Sequence, residues 1–173
     1  MPTCFVVQGF GGKTDFESGR VLDLGASYEV IKEAVTAAGY ECIRADEIKH
    51  TRNIVQVMYE QMLTADVVIA DLSTSNVNAF FGLGVRFALR PYATIVVAEN
   101  RLNFPFDINH IPIRTYEHLG RREAARWIAE LGELIEAIGI PERADDSPVY
   151  TFIPNLSRHS LKDLELAATE PED

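Results

Sequence analysis

The run Asp71-Leu72-Ser73-Thr74-Ser75-Asn76, with Asn78 two residues further on, places a carboxylate, hydroxyls and amides directly after the apolar segment Asp66 to Ala70. Side chains of these types can hold a pair of vicinal hydroxyls, as on a ribose. If a helix starts at Asn76 or Asn78, its free N–H groups and dipole attract a phosphate as well. The same residues can also serve only a turn and a helix cap, with Asp71, Ser73 and Asn76 satisfying nearby backbone groups.

A second candidate is the stretch from Gln8 to Leu24 (QGFGGKTDFESGRVLDL), which is polar and glycine-rich and reads as one long loop. Loops of that length are uncommon unless they contact a ligand. Gln8, Phe10, Gly11, Asp15 and Asp23 are its candidate contacts. Gly9, Gly11 and Gly12 let backbone approach a ligand or simply let the chain turn. Neither GxGxxG nor GxxxxGK[ST] occurs, so neither a dinucleotide fingerprint nor a P-loop is present. Arg86 and Arg90, one helical turn apart, can reach a phosphate or pair with surface acids. His50, His110, His118 and His159 lack metal-ligand spacing. Cys4 and Cys42 lack CxxC or Cys/His spacing, and they read as free buried thiols rather than a disulfide or zinc site.

The elements that must position these groups alternate. Thr3 to Val7, Glu41 to Ala45, Asp66 to Ala70, Ala93 to Ala98 and Ile111 to Tyr116 read as five strands. Helical patterns fill the gaps: Ser27, as N-cap, through Ala38 with Gly39 as terminator; Thr51 to Ala65; Asn76 or Asn78 to Leu89, stopped before Pro91; and Arg121 to Ile138, closed by Gly139. Crossover helices require parallel neighbours, so the expectation is an α/β, flavodoxin-like three-layer fold with strand order 2-1-3-4-5. In such a sheet ligands bind outside the strand carboxyl ends. The loop after strand one, the turn after strand three and the loop from Glu99 converge there.

Gly82 and Gly84 interrupt the third helix, each costing about 1 kcal/mol relative to alanine, so close packing or a ligand must compensate. Residues 1–139 are expected to form the domain. The extension 140–173 is expected to pack near 148–154 through Val149, Tyr150, Phe152 and Ile153 and then to run out as an acidic, disordered tail. That extension carries half of the formal charge of −10, a balance that argues against general nucleic-acid binding. No apolar run approaches membrane-spanning length and no leader pattern opens the chain, so the expected location is the cytoplasm, away from membranes.

Taken together, several stretches resemble bacterial TIR-like domains related to nucleoside 2-deoxyribosyltransferases. They are Cys4-Phe5-Val6-Val7 with Phe10-Gly11 and Lys13-Thr14-Asp15; Glu41 to Glu47; Ala65 to Thr74; Gly84-Val85-Arg86 with Ala88 to Pro91; and Phe106 to His110. The resemblance implies chemistry at N-glycosidic bonds, with NAD, a nucleotide or a nucleoside as substrate or ligand and no further cofactor required. A glutamate at the start of the third helix would act beneath an oxocarbenium-like centre. Here the aromatic-Glu-Leu-Gly pattern reads Phe81-Gly82-Leu83-Gly84, the histidine after Val-Arg is Phe87, and the second aspartate of an Asp-Phe-Asp stretch is Gly25. Two readings follow. In one the domain cleaves, with Asp71, Asp15 or Asp23 replacing the glutamate. In the other it is a non-catalytic module that holds a nucleotide or self-associates as a homo-oligomer in defence or stress signalling.

Overall fold

The apolar strands distribute their side chains to two sides with period two, as strands covered on both faces must. A computed structural model describes residues 1–15, 18–48, 54–104, 106–117, 121–138, 146–157 and 162–163. Its central sheet is parallel and consists of β1 (Thr3–Val7), β4 (Glu41–Arg44), β5 (Val67–Asp71), β6 (Thr94–Glu99) and β7 (Ile113–Tyr116), in the order β4-β1-β5-β6-β7. These are the five strands read from the sequence, in the anticipated order, and the architecture is a flavodoxin-like three-layer fold.

On one face Cys4, Val6, Val67, Ile69, Ile95 and Val97 pack against α1 (Leu24–Ala37) and α4 (Arg121–Ile138), through Tyr28, Ile31, Val35, Trp127, Leu131 and Ile135. On the other, Phe5, Val7, Val68, Ala70, Val96 and Ala98 meet Met62 of α2 (Ile54–Thr64) and Leu83 and Phe87 of α3 (Val77–Leu89). Each fully buried aliphatic or aromatic side chain contributes roughly 1.5–3 kcal/mol, so these two layers hold the strand ends in place.

Two sequence expectations change. The loop after β1 contains a hairpin, β2 (Gly12–Thr14) against β3 (Val21–Asp23), paired antiparallel with Gly12 opposite Asp23. Its strands are only three residues long, too short to show a period. Helix α1 starts at Leu24 rather than after Ser27, because the Asp23 side chain accepts from the Ala26 amide at 3.1 Å and caps it. Ser27 is buried instead. Gly39 has φ +83°, the left-handed conformation expected of a residue ending a helix.

The extension attaches at the amino ends of the strands. Asp146 accepts from the Thr94 amide at 2.5 Å, and Ser147 donates to the Phe87 carbonyl at 2.7 Å while capping α5 (Pro148–Phe152). The Tyr150 hydroxyl donates to the Ala88 carbonyl at 2.6 Å. Tyr150 is buried and Val149 packs on the core, whereas Phe152 and Ile153 face solvent. Gly139, His50, His118, His159, the start of the second helical pattern and the acidic end lie outside the described residues. Cys4 and Cys42 stand opposite one another on β1 and β4 as free thiols. Burial pushes Cys4 up and, against the opposing hydrogen bond with Tyr28, Cys42 to about 11, so both stay protonated. No helix among the described residues is long and apolar enough to cross a membrane.

Candidate functional site

Where the parallel strands end, the residue after each apolar run turns polar. Gln8 follows β1, Asp71 ends β5, Glu99 ends β6 and Tyr116 ends β7. Period two places all four on the α1 side of the sheet, because Val7, Ala70 and Ala98 face the other way. Asp71 Oδ2 accepts from Gln8 Nε2 at 2.9 Å and from the Tyr116 hydroxyl at 2.8 Å, while Oδ1 accepts from the Ser73 amide at 2.9 Å. Ser73 Oγ lies 3.0 Å from the Tyr116 hydroxyl and accepts from the Glu99 amide at 2.8 Å. The network joins four strands of the sheet at their carboxyl ends.

Asp71 is 1% exposed. Burial drives its carboxyl above the ordinary range, against the pull of hydrogen bonds from Ser73, Tyr116 and Gln8. Burial and then the Asp71 charge raise the Tyr116 phenol. A carboxylate with both oxygens engaged and no solvent access holds the strand ends together; it does not present a nucleophile. Gln8 Oε1 is buried and has no hydrogen-bond partner among the described residues.

The turn after β5 is strained. Thr74 and Ser75 have φ of 62° and 52°, a region that non-glycine residues enter at some cost. That geometry turns the chain into α3, whose cap is Asn76, with its side chain accepting from the Ala79 amide at 3.1 Å. Between β1 and β5, where chain order reverses, Gly9 abuts Asn76: a Cβ there would lie 2.7 Å from Asn76 Nδ2 and 2.8 Å from Leu24 Cδ1. Glycine is required at residue 9 by this approach of α3, and Gly11 is required by its φ of +66°.

The β2–β3 hairpin reaches over the same end of the sheet. Buried Leu22 anchors it, and Arg20 Nη2 pairs with Glu99 Oε1 at 2.9 Å while Glu99 Oε2 accepts from the Arg101 amide at 3.0 Å. Asp15 accepts from Ser18 within the hairpin, and Asp23 caps α1. Phe10 lies over the Arg44 guanidinium, 5.3 Å from ring centroid to carbon, and Tyr28 stacks on it at 3.8 Å.

Thus Gln8, Asp71 and Ser73 come together, and Thr74 and Asn76 sit beside them at the seam with Gly9. Asn78 and Phe81 lie on the solvent face of α3, with Phe81 edge-on to Tyr59. Gly82 faces the neighbouring helix α2 and the sheet. A Cβ on it would stand 2.2 Å from Met62 Cε and 3.5 Å from Val7 Cγ1, so close packing explains this glycine. Around Gly84 the space is open.

Arg86 fits neither sequence reading. It is fully buried, and Nη1 donates to the carbonyls of Met62 at 2.7 Å and Ala65 at 3.2 Å, while Nη2 donates to that of Tyr92 at 2.9 Å. Its two terminal nitrogens satisfy carbonyls at the end of α2 and after α3, Nε has no partner among the described residues, and burial lowers its pKa to about 9. Arg90 likewise donates to the Leu63 carbonyl at 2.6 Å.

Sequence reasoning overlooked Tyr116, Arg20 and the pairing of Glu99. A usable signal for Tyr116 and Glu99 was their place at the end of apolar strands, in step with Gln8 and Asp71. Among the described residues no group of three His, Cys, Asp or Glu side chains could hold a metal ion. Comparison with protein-family models finds no match, and comparison with curated proteins finds none either.

Proposed function

We propose that this chain is a TIR-like, deoxyribosyltransferase-like module that holds a nucleoside, a nucleotide or NAD in the crevice between Gly9 and the start of α3, without cleaving it through residue 82. The observation that carries the reading is the left-handed pair Thr74 and Ser75 at the reversal point of the sheet. Strain of this kind is kept where the surrounding structure over-determines it, and it stands at the start of a helix whose first two amides, Val77 and Asn78, have no intrahelical partner, the Ala79 amide being held by Asn76 Oδ1. Those amides suit a phosphate, and the polar turn suits ribose hydroxyls. Gly82, where the resemblance implies a glutamate, packs on Met62 of the neighbouring helix α2 and offers no reacting group to the crevice.

Calorimetric titration with adenosine, AMP and NAD tests the reading, with chromatography of each mixture for free base. Binding without base release is the expected result. No binding of any of the three overturns the ligand assignment; base release overturns the non-cleaving assignment alone.

Cleavage is the second reading, favoured by one observation: the upward push on the Asp71 carboxyl, the condition of a group poised as an acid. In that case Asp71→Asn abolishes base release while binding persists.

A further inference from the structure

The sequence holds two cysteines, and the sheet sets them side by side: Cys4 of β1 is the register partner of Cys42 of β4. Neighbouring strands lie about 4.8 Å apart, and register partners in a parallel pair point to the same face. Both thiols stand on the α1 side, where Cys4 is fully buried and Cys42 packs at the margin of the same core. A Cα separation of that size falls inside the range of about 4.4–6.8 Å that a disulfide spans. On its other side Cys4 is paired with Val67 of β5, so Cys42 is the thiol within its reach.

The two differ in access. Cys42 lies on an edge strand, none of whose residues is fully buried, whereas Cys4 lies between two strands and under α1. Cys42 is also wired to its surroundings. Its Sγ donates to the Tyr28 hydroxyl at 3.8 Å, and Tyr28 donates to Glu47. The Arg44 guanidinium lies on the Tyr28 ring, with Phe10 of the loop after β1 on its other side.

We propose that Cys4 and Cys42 form an oxidation switch, in which hydrogen peroxide converts them into an internal disulfide that fastens β4 to β1 and takes the Cys42 S–H away from Tyr28. The Cys42 thiolate attacks one peroxide oxygen, becoming a sulfenic acid, and the other oxygen leaves as water with the thiol proton. The Cys4 sulfur then attacks the sulfenic sulfur. The S–O bond breaks, and its hydroxyl leaves with the Cys4 proton as a second water. Two electrons pass from the sulfurs to the peroxide. Because burial holds both thiols protonated near neutrality, the pair ignores brief exposure and answers sustained oxidant. The assignment does not rest on what the crevice holds.

The charged and titratable groups facing Cys42 are Tyr28 and Lys32 from α1, Arg44 and Glu47 from its own strand and the turn after it, and Cys4 from β1. Those facing Cys4 are Cys42, Tyr40 and Arg86. The rate is therefore expected to rise about tenfold per pH unit from neutral to mildly alkaline solution, as the Cys42 thiolate fraction rises toward its pKa of about 11.

The whole chain incubated with hydrogen peroxide, followed by intact mass, thiol titration and peptide mapping, tests it. The expected product has lost both thiols together, is two hydrogens lighter, carries a peptide linking residues 4 and 42, and reverts with dithiothreitol. Cys4→Ala is expected to stop at a Cys42 sulfenic acid that dimedone traps, and Cys42→Ala to keep the Cys4 thiol. Amides of Phe10 and Gly11 are expected to exchange several-fold faster in the oxidised chain. Over-oxidation of Cys42 with the Cys4 thiol intact, linkage only between chains, or a disulfide that forms only in urea overturns the proposal. A disulfide that leaves exchange at Phe10 and Gly11 unchanged overturns it as a switch.

Discussion

Tyr116 donates its hydroxyl to Asp71 Oδ2 at 2.8 Å, joining the carboxyl ends of β7 and β5 over the intervening β6. The bond is buried, and Ser73 Oγ touches the same hydroxyl. Tyr116→Phe keeps the ring against Trp127 but removes one donor to Asp71 and the hydroxyl contact of Ser73. The expected loss is about 1–3 kcal/mol in urea denaturation. A loss within a few tenths would show that water replaces the phenol at no cost.

The same carboxyl gives a pH dependence. Burial raises Asp71 above its unfolded value, so the folded state binds its proton more tightly. Stability from this group is complete below about pH 4 and is lost as pH rises through the higher folded value. Compared with Asp71→Asn, which does not titrate, the parent chain should lose relative stability on going from acid toward neutrality. Denaturant midpoints of both proteins across that range measure it. A parent that gains on the variant with rising pH contradicts burial as the dominant influence.

Gly82 and Met62 should couple. Gly82→Ala must move the flexible end of Met62, a cost set against the roughly 1 kcal/mol that alanine gains in a helix, so the net loss is expected to be about 0–2 kcal/mol, and Gly82→Glu costs more, since it also buries a carboxylate. Met62→Ala opens the same space. A double-mutant cycle of Gly82→Ala with Met62→Ala should show a favourable coupling of about 1 kcal/mol or more, and strict additivity would mean that the two positions do not share that volume.

Arg86→Met fills similar volume but leaves the carbonyls of Met62, Ala65 and Tyr92 without their donors. The expected cost is about 3 kcal/mol or more, and Arg86→Lys should recover little of it, because one ammonium cannot copy the planar fork. Thermal unfolding of the two variants decides this. Full rescue by lysine would mean that charge, not geometry, is what the carbonyls need.

Arg20 ties the β2–β3 hairpin to Glu99 at the end of β6. Arg20→Ala leaves the buried Glu99 carboxylate without its counter-ion and is expected to cost about 1–3 kcal/mol, while amides of Gly12 to Thr14 exchange with solvent several-fold faster. Hydrogen exchange read at those residues tests it. Unchanged exchange would assign the anchoring of the hairpin to Leu22 alone.

Five apolar strand segments, their alternation with helical patterns, the terminator Gly39 and a cap at Asn76 or Asn78 were legible in the chain itself, because period, length and punctuation are local properties. The polar turn after β5 was legible as a location for the same reason. What each residue does there was not. Arg86 reads as a surface cation until three carbonyls, two at the end of α2 and one after α3, close around it. Gly82 reads as a close-packing glycine, a ligand contact or a lost glutamate until Met62 is found against it. Tyr116 reads as an ordinary strand residue until the sheet brings it to Asp71, 45 positions earlier. The hairpin after β1 went unseen because three-residue strands carry no periodic signal. Local chemistry thus determined the elements and their order, while the roles of individual side chains were decided by contacts between distant segments, which exist only once the layers pack and water is excluded.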